Sequence, residues 1–149
     1  MEAFESDRKN RLLGIDPGEK RIGIAISDTS GRLTKPYMVI QHQSRKKDVE
    51  SIIQICRDKG ISKVVVGYTQ NEDGSLPFSG QNALRLAKAL QISGEVKVDL
   101  WDEFNSTNDA RTLLLKLNKP HKKRYGHHDD LAAAILLQSY IEDRTSKNK

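Results

Sequence analysis

LLGIDPGEKRIGIAISD, residues 12–28, holds two apolar runs joined by a Pro-Gly turn, with one aspartate, Asp16, where the first run ends. RLLGID (11–16) and IGIAIS (22–27) read as strands, and the short PGEKR between them allows only a tight reversal. DTSGR (28–32) is a second turn signal, followed by a third strand near Leu33–Ile40. Connections this short imply an antiparallel meander of three strands. Asp16 then sits where a strand ends and the chain turns back. A carboxylate there either caps the turn or is held at a sheet edge for chemistry, and one residue does not decide between the two.

Beyond the meander the period changes. In KDVESIIQICRDKG, Val49, Ile52, Ile53 and Cys56 recur at helical spacing and Gly60 fits a helix terminus, which makes Cys56 a core residue rather than a nucleophile. KVVVGY (63–68) is β-branched and continuous, as expected of a strand covered on both faces. A polar loop leads to a helix over about Phe78–Leu90, with Leu84, Ala87 and Leu90 on its inner face. VKVDLW (96–101) alternates as a strand, and Ser106 to Asp109 has capping-box spacing, opening a helix to about Leu117. DDLAAAILLQSYIEDR makes a final helix with a stripe through Leu131, Ile135 and Leu136. The order is βββαβαβαα, without repeat or linker, which predicts one domain over 1–149 with an ordered core of about 11–143.

Topology brings the acids together. Helical crossovers are right-handed and return the chain parallel, so strands four and five lie beyond strand one and share its direction. The predicted fold is α/β, a five-stranded mixed sheet of order 3-2-1-4-5 flanked by helices. Sites in such sheets lie at the carboxyl ends of the strands. Asp16 follows strand one, Asp102 and Glu103 follow strand five, and Asp129 and Asp130 open the last helix. Clustered carboxylates repel and resist desolvation unless a cation accompanies them. Oxygen-only ligands favour Mg²⁺ or Mn²⁺ over zinc. Two such ions roughly 3.5–4 Å apart can activate water and stabilise the leaving oxygen of a phosphodiester.

Composition is compatible with that chemistry. The 149 residues carry a formal net charge of +5, and the sequence pI is about 9.3, a balance that suits a polyanionic partner. RKK (45–47), KPHKKRYGHH (119–128) and the terminal KNK concentrate the positive charge. No run approaches the roughly 20 apolar residues of a membrane span. The polar MEAFESDRKN start is not a secretory signal. The single cysteine excludes an intrachain disulfide and a cysteine-based zinc site, and a reducing, cytoplasmic setting is expected. Each acid also has a plain structural reading: Asp16 as a turn cap, Asp102 as a loop cap, Asp129 or Asp130 as a helix cap. His121, His127 and His128 read as loop histidines, and Trp101 as packing rather than a base-stacking platform.

Four blocks in order, LGIDPGEKRIGIAISD, VVVGYTQNEDGS, LWDEFNST and DDLAAAILLQSYIED, resemble the YqgF family, also called RuvX, over about residues 11–143. The resemblance implies an RNase H-like fold and a divalent-metal nuclease. It further implies 5′-end processing of precursor 16S rRNA, with Holliday junctions as the other substrate proposed for the family. By position it assigns Asp16, Glu103 and Asp129 to metal binding and catalysis. Asp102 either joins the ligands or braces the loop, and Asp130 ranks below Asp129. Phe104 stands where the family has arginine, Thr69 where it has proline, and His128 where it has an apolar residue. Lys20, Arg21, Lys122, Lys123 and Arg124 are the expected phosphate contacts. The partners are then precursor rRNA or branched DNA, without a membrane, for a monomer or homodimer. Two rivals stand beside this reading. One is a non-catalytic nucleic-acid-binding module that keeps the fold. The other is an actin-like ATP-binding domain, which needs a second comparable domain.

Overall fold

A computed structural model of the chain describes residues 10–103 and 129–147. Strands β1 (Leu12–Pro17) and β2 (Arg21–Ser27) are joined by a turn that Gly18 N–H closes on the Arg21 carbonyl at 2.8 Å. They pair antiparallel, with Leu13 opposite Ile26 and Asp16 opposite Gly23. The next turn is held by Asp28, whose N–H donates to Leu33 O at 2.8 Å and whose Oδ1 accepts from Arg32 N at 3.0 Å. β3 (Thr34–Gln41) follows, one residue later than Leu33–Ile40, and its register slips beside Pro36. A proline cannot donate to the ladder, and an edge strand is where a sheet tolerates one.

Helix α1 (Arg45–Lys59) starts where Ser44 Oγ accepts from Lys47 N at 3.1 Å, and it stops at Gly60, whose φ of 66° favours glycine. β4 (Lys63–Tyr68), α2 (Phe78–Ile92) and β5 (Lys97–Asp102) complete two parallel crossovers. The sheet order is β3-β2-β1-β4-β5, with β2 alone antiparallel to the other four, as predicted. α3 (Asp129–Lys147) covers the opposite face of the sheet from α1 and α2. The helix expected from Ser106 lies outside the described residues. No helix among those described is long and apolar enough to cross a membrane.

Strand alternation assigns each side chain to one of two layers. Leu13, Ile15, Ile22, Ile24, Ile26, Val64 and Val66 pack with Ile52, Ile53 and Cys56 of α1 and with Ala83, Leu86 and Leu90 of α2. Ala25 and Val65 face the other way, against Ala133, Ala134, Leu136, Leu137 and Tyr140 of α3. The single buried valine on the α3 side, between two on the other, confirms that β4 is covered on both faces.

Two stripes sit differently from expectation. In α2, Ala87 and Leu90 are buried as expected, but Leu86 and not Leu84 is the third core residue, Leu84 being only half-buried. In α3 the stripe is Ala133, Leu136, Leu137, Tyr140 and Ile141, with Leu131 and Ile135 at its margin. The reason is spacing: alanines occupy part of each inward face, at Ala83 and Ala87 in α2 and at Ala133 and Ala134 in α3, and the large residues on that face are the ones in phase with them. Gln138 then locks α3 to the meander: its Oε1 accepts from Thr34 N at 3.1 Å, and its Nε2 donates to Arg32 O at 3.0 Å.

Candidate active site

Asp16 is on the α3 side of β1, because Leu13 and Ile15 point to the other layer. Its neighbours across the sheet on that face are glycines: Gly23 on β2 and, by register continuation from Ile15–Val66, Gly67 on β4. Both are filled by neighbours. A Cβ at Gly23 would lie 1.9 Å from the carbonyl oxygen of Asp129, and one at Gly67 would lie 2.9 Å from Glu103 Oε1 and 2.6 Å from Leu136 Cδ2. Gly23 thus admits the first turn of α3, and Gly67 admits the Glu103 side chain. The absence of two side chains delivers two acids to the flanks of a third.

Asp16, Glu103 and Asp129 act on one another at this edge. The Asp16 carboxyl is pushed from its ordinary 3.8 up to about 9, first by burial, then by its hydrogen bond with Glu103 and by the negative charges of Glu103 and Asp129. What holds Asp16 is therefore another carboxyl group. Asp129 in turn accepts from Arg21 Nε at 3.2 Å. Arg21 is on the same face of β2 as Gly23, which is why it, and not the adjacent exposed Lys20, reaches the site. Asp130 uses Oδ1 to accept from the N–H of Leu131 at 2.9 Å.

Asp102 is not brought to this cluster. It shares the phase of Val98, on the α1–α2 side, and its Oδ2 accepts from Gln70 Nε2 at 2.8 Å across the β4 and β5 loops. Asp102 ends β5 and Glu103 follows it, and the two adjacent acids part, Asp102 to Gln70 and Glu103 to Gly67. Among the described residues, no three Asp, Glu, His or Cys side chains stand ready to hold a metal ion as they are. Asp16 is engaged by Glu103, and Asp129 by Arg21.

Trp101 packs edge-on against Tyr140, ring centroids 5.8 Å apart at 87°, as its packing role predicts, and its buried Nε1 has no hydrogen-bond partner among the described residues. Tyr140 donates to Asp99, which Lys63 and Arg144 also face at 3.4 and 3.5 Å. Phe104, Lys122, Lys123, Arg124 and the three loop histidines lie outside the described residues. Sequence reasoning passed over Gly23 and Gly67. The available signal was a glycine inside each of two strongly apolar strands, which marks a close approach of other atoms.

A family model described as RuvX, Holliday junction resolvase, matches residues 10–143. A protein of Thermoanaerobacter pseudethanolicus named "Putative pre-16S rRNA nuclease" is 36% identical over 138 residues, covering 92% of this chain and 99% of its own length. A protein of the same name from Clostridium perfringens is 34% identical over 137 residues, covering 92% and 99%. Among solved structures, RuvC of T. thermophilus in complex with a Holliday junction substrate aligns with a TM-score of 0.65 at 13% identity, covering 91% of this chain and 96% of that one. The fowlpox virus resolvase in complex with Holliday junction DNA aligns at 0.56 and 16% identity, covering 90% and 98%. At such identities these structures establish the RNase H-like resolvase fold and nothing finer.

Proposed function

The chain belongs to the RuvX family of Holliday junction resolvases, and from that membership we propose that it is a divalent-metal-dependent nuclease acting on precursor 16S rRNA. The observation that carries the reading is the placing of Asp16 between Glu103 and Asp129 at the carboxyl edge of the sheet, half-buried and flanked by the two glycines that admit them. A structural turn cap gains nothing from two more acids beside it. A site built for a cation does, since a buried carboxyl cluster needs either protons or positive charge.

The donor set fits Mg²⁺ or Mn²⁺: it is oxygen-only, from Asp16, Glu103 and Asp129. When bound, such ions supply water activation and charge neutralisation at the leaving oxygen. The protein's part is to keep three carboxylates on one face, to release the Asp16 proton to solvent when an ion is bound, and to hold the phosphate backbone. For that backbone we assign Lys20 on the β1–β2 turn, Arg21 at the start of β2, and Lys122, Lys123 and Arg124 from their place in the basic segment that leads to Asp129 in the sequence. Asp102 belongs to the loop brace with Gln70 rather than to the ligand set. A nuclease of rRNA works in the cytoplasm, which we take as its setting. The family's description favours a second substrate, the four-way DNA junction.

Purified protein given Mg²⁺ or Mn²⁺ and both labelled substrates, precursor 16S rRNA and a four-way junction, tests the proposal. Cleavage of the RNA that stops with EDTA, and with Asp16→Asn, Glu103→Gln or Asp129→Asn, is expected. Junction cleavage alone would favour the second substrate. Binding that survives loss of the acids, with neither substrate cut, would make the chain a binding module instead.

A further inference from the structure

Arg21 opens β2 on the face that α3 covers, and its Nε donates to Asp129 Oδ2 at 3.2 Å across 108 positions of sequence. The pair is largely withdrawn from solvent, with side-chain exposures of 29% and 33%. The location is unusual for a cation. The amino end of a helix carries the positive end of its dipole, which suits Asp129 and repels a guanidinium. The Asp129 carboxylate offsets that repulsion at the start of α3. The pairing also places one positive charge beside the carboxyl groups gathered at this edge of the sheet.

We infer that Arg21 is a resident counter-cation of the acid cluster, holding Asp129 in the metal-free state and displaced from it when a divalent ion loads. The inference rests on the nuclease reading and adds what regulates loading of its site. A guanidinium and a divalent ion compete for the same carboxylate oxygens, and the ion carries twice the charge on a smaller radius. Once displaced, the planar guanidinium is free to take two phosphate oxygens together. The coupling is reciprocal: a phosphate group that captures Arg21 raises the affinity of the acids for the ion by the same factor that the ion raises affinity for the phosphate.

A purely structural Arg21 predicts the opposite sign. If it only braced Asp129, its loss would misplace a ligand and weaken ion binding. Titration calorimetry of Mn²⁺ into wild type, Arg21→Gln and Arg21→Lys, without nucleic acid, separates the two. Removing a unit positive charge from a partly screened site should tighten Mn²⁺ binding by about tenfold in Arg21→Gln. Arg21→Lys keeps the charge and should stay within roughly threefold of wild type. In wild type itself, the Arg21 Nε–H resonance should shift and exchange faster with water as Mg²⁺ is added, whether or not any variant folds well. Unchanged or weaker Mn²⁺ binding in Arg21→Gln, or a resonance indifferent to Mg²⁺, overturns the inference. If wild type binds Mn²⁺ and Asp129→Asn does not, the nuclease reading survives that loss. If neither wild type nor Arg21→Gln binds Mn²⁺, both fall together.

Discussion

Replacing Asp16 by Asn should stabilise the metal-free protein while abolishing cleavage. An unfolded aspartate ionises near 3.8, whereas the folded one keeps its proton to about 9. Between those values the folded state binds more protons than the unfolded one. Stability is therefore highest below pH 3.8 as far as this group is concerned, and falls as pH rises toward 9. Taken alone, the interval from 3.8 to 7 is worth about 4 kcal/mol at about 1.4 kcal/mol per pH unit. Asp16 keeps some contact with solvent, which screens the effect, so about 1–2 kcal/mol is the expected penalty at neutral pH. Asparagine is isosteric, cannot ionise, and its amide can still donate to Glu103. Urea unfolding in EDTA, followed by the fluorescence of the single tryptophan Trp101, gives the measurement. The variant should exceed wild type at pH 7, more so at pH 8.5, and converge with it near pH 4. A variant less stable at every pH, or a difference independent of pH, would refute the account, and retained cleavage would return Asp16 to turn capping.

Gly67→Ala sets a methyl against Leu136 and Glu103, costing about 1–3 kcal/mol and most of the activity. Gly23→Ala meets the α3 backbone instead of a movable side chain and should cost more, both read by thermal melts. Replacing Lys122, Lys123 and Arg124 with Ala should flatten the salt dependence of RNA binding in Ca²⁺ by roughly 0.7–0.9 in log–log slope per lost contact, with folding unchanged; an unchanged slope would remove that segment from the interface. Cys56 is buried and its thiol is pushed up to about 12, so thiol reagents at pH 8 should label it in urea and leave the native protein unmodified.

The sheet order was legible because each step was local: two short turns force a meander, and two helical connections force parallel returns. Three acids were legible because they stand at element ends, where topology alone places them. What escaped was phase. Asp102 and Glu103 are neighbours in sequence, and only the alternation that puts Val98 and Trp101 in opposite layers separates them. The inward face of α3 was hidden for a related reason, since Ala133 and Ala134 carry little hydrophobic signal and yet are fully buried against the sheet. The Arg21–Asp129 pair could not be read at all without the register that sets Asp16 beside Gly23.

Gln138 reaches back 104 positions to Thr34, and this bears on the order in which the molecule forms. Closing so long a loop costs entropy before any contact offsets it, so the docking of α3 belongs late in folding. The meander and the β4 crossover can collapse earlier around Ile24, Val64 and Leu90. They leave Ala25 and Val65 uncovered until α3 arrives. That arrival brings the missing hydrophobic layer and Asp129 in a single event, so a partly folded chain lacks the complete cluster of Asp16, Glu103 and Asp129.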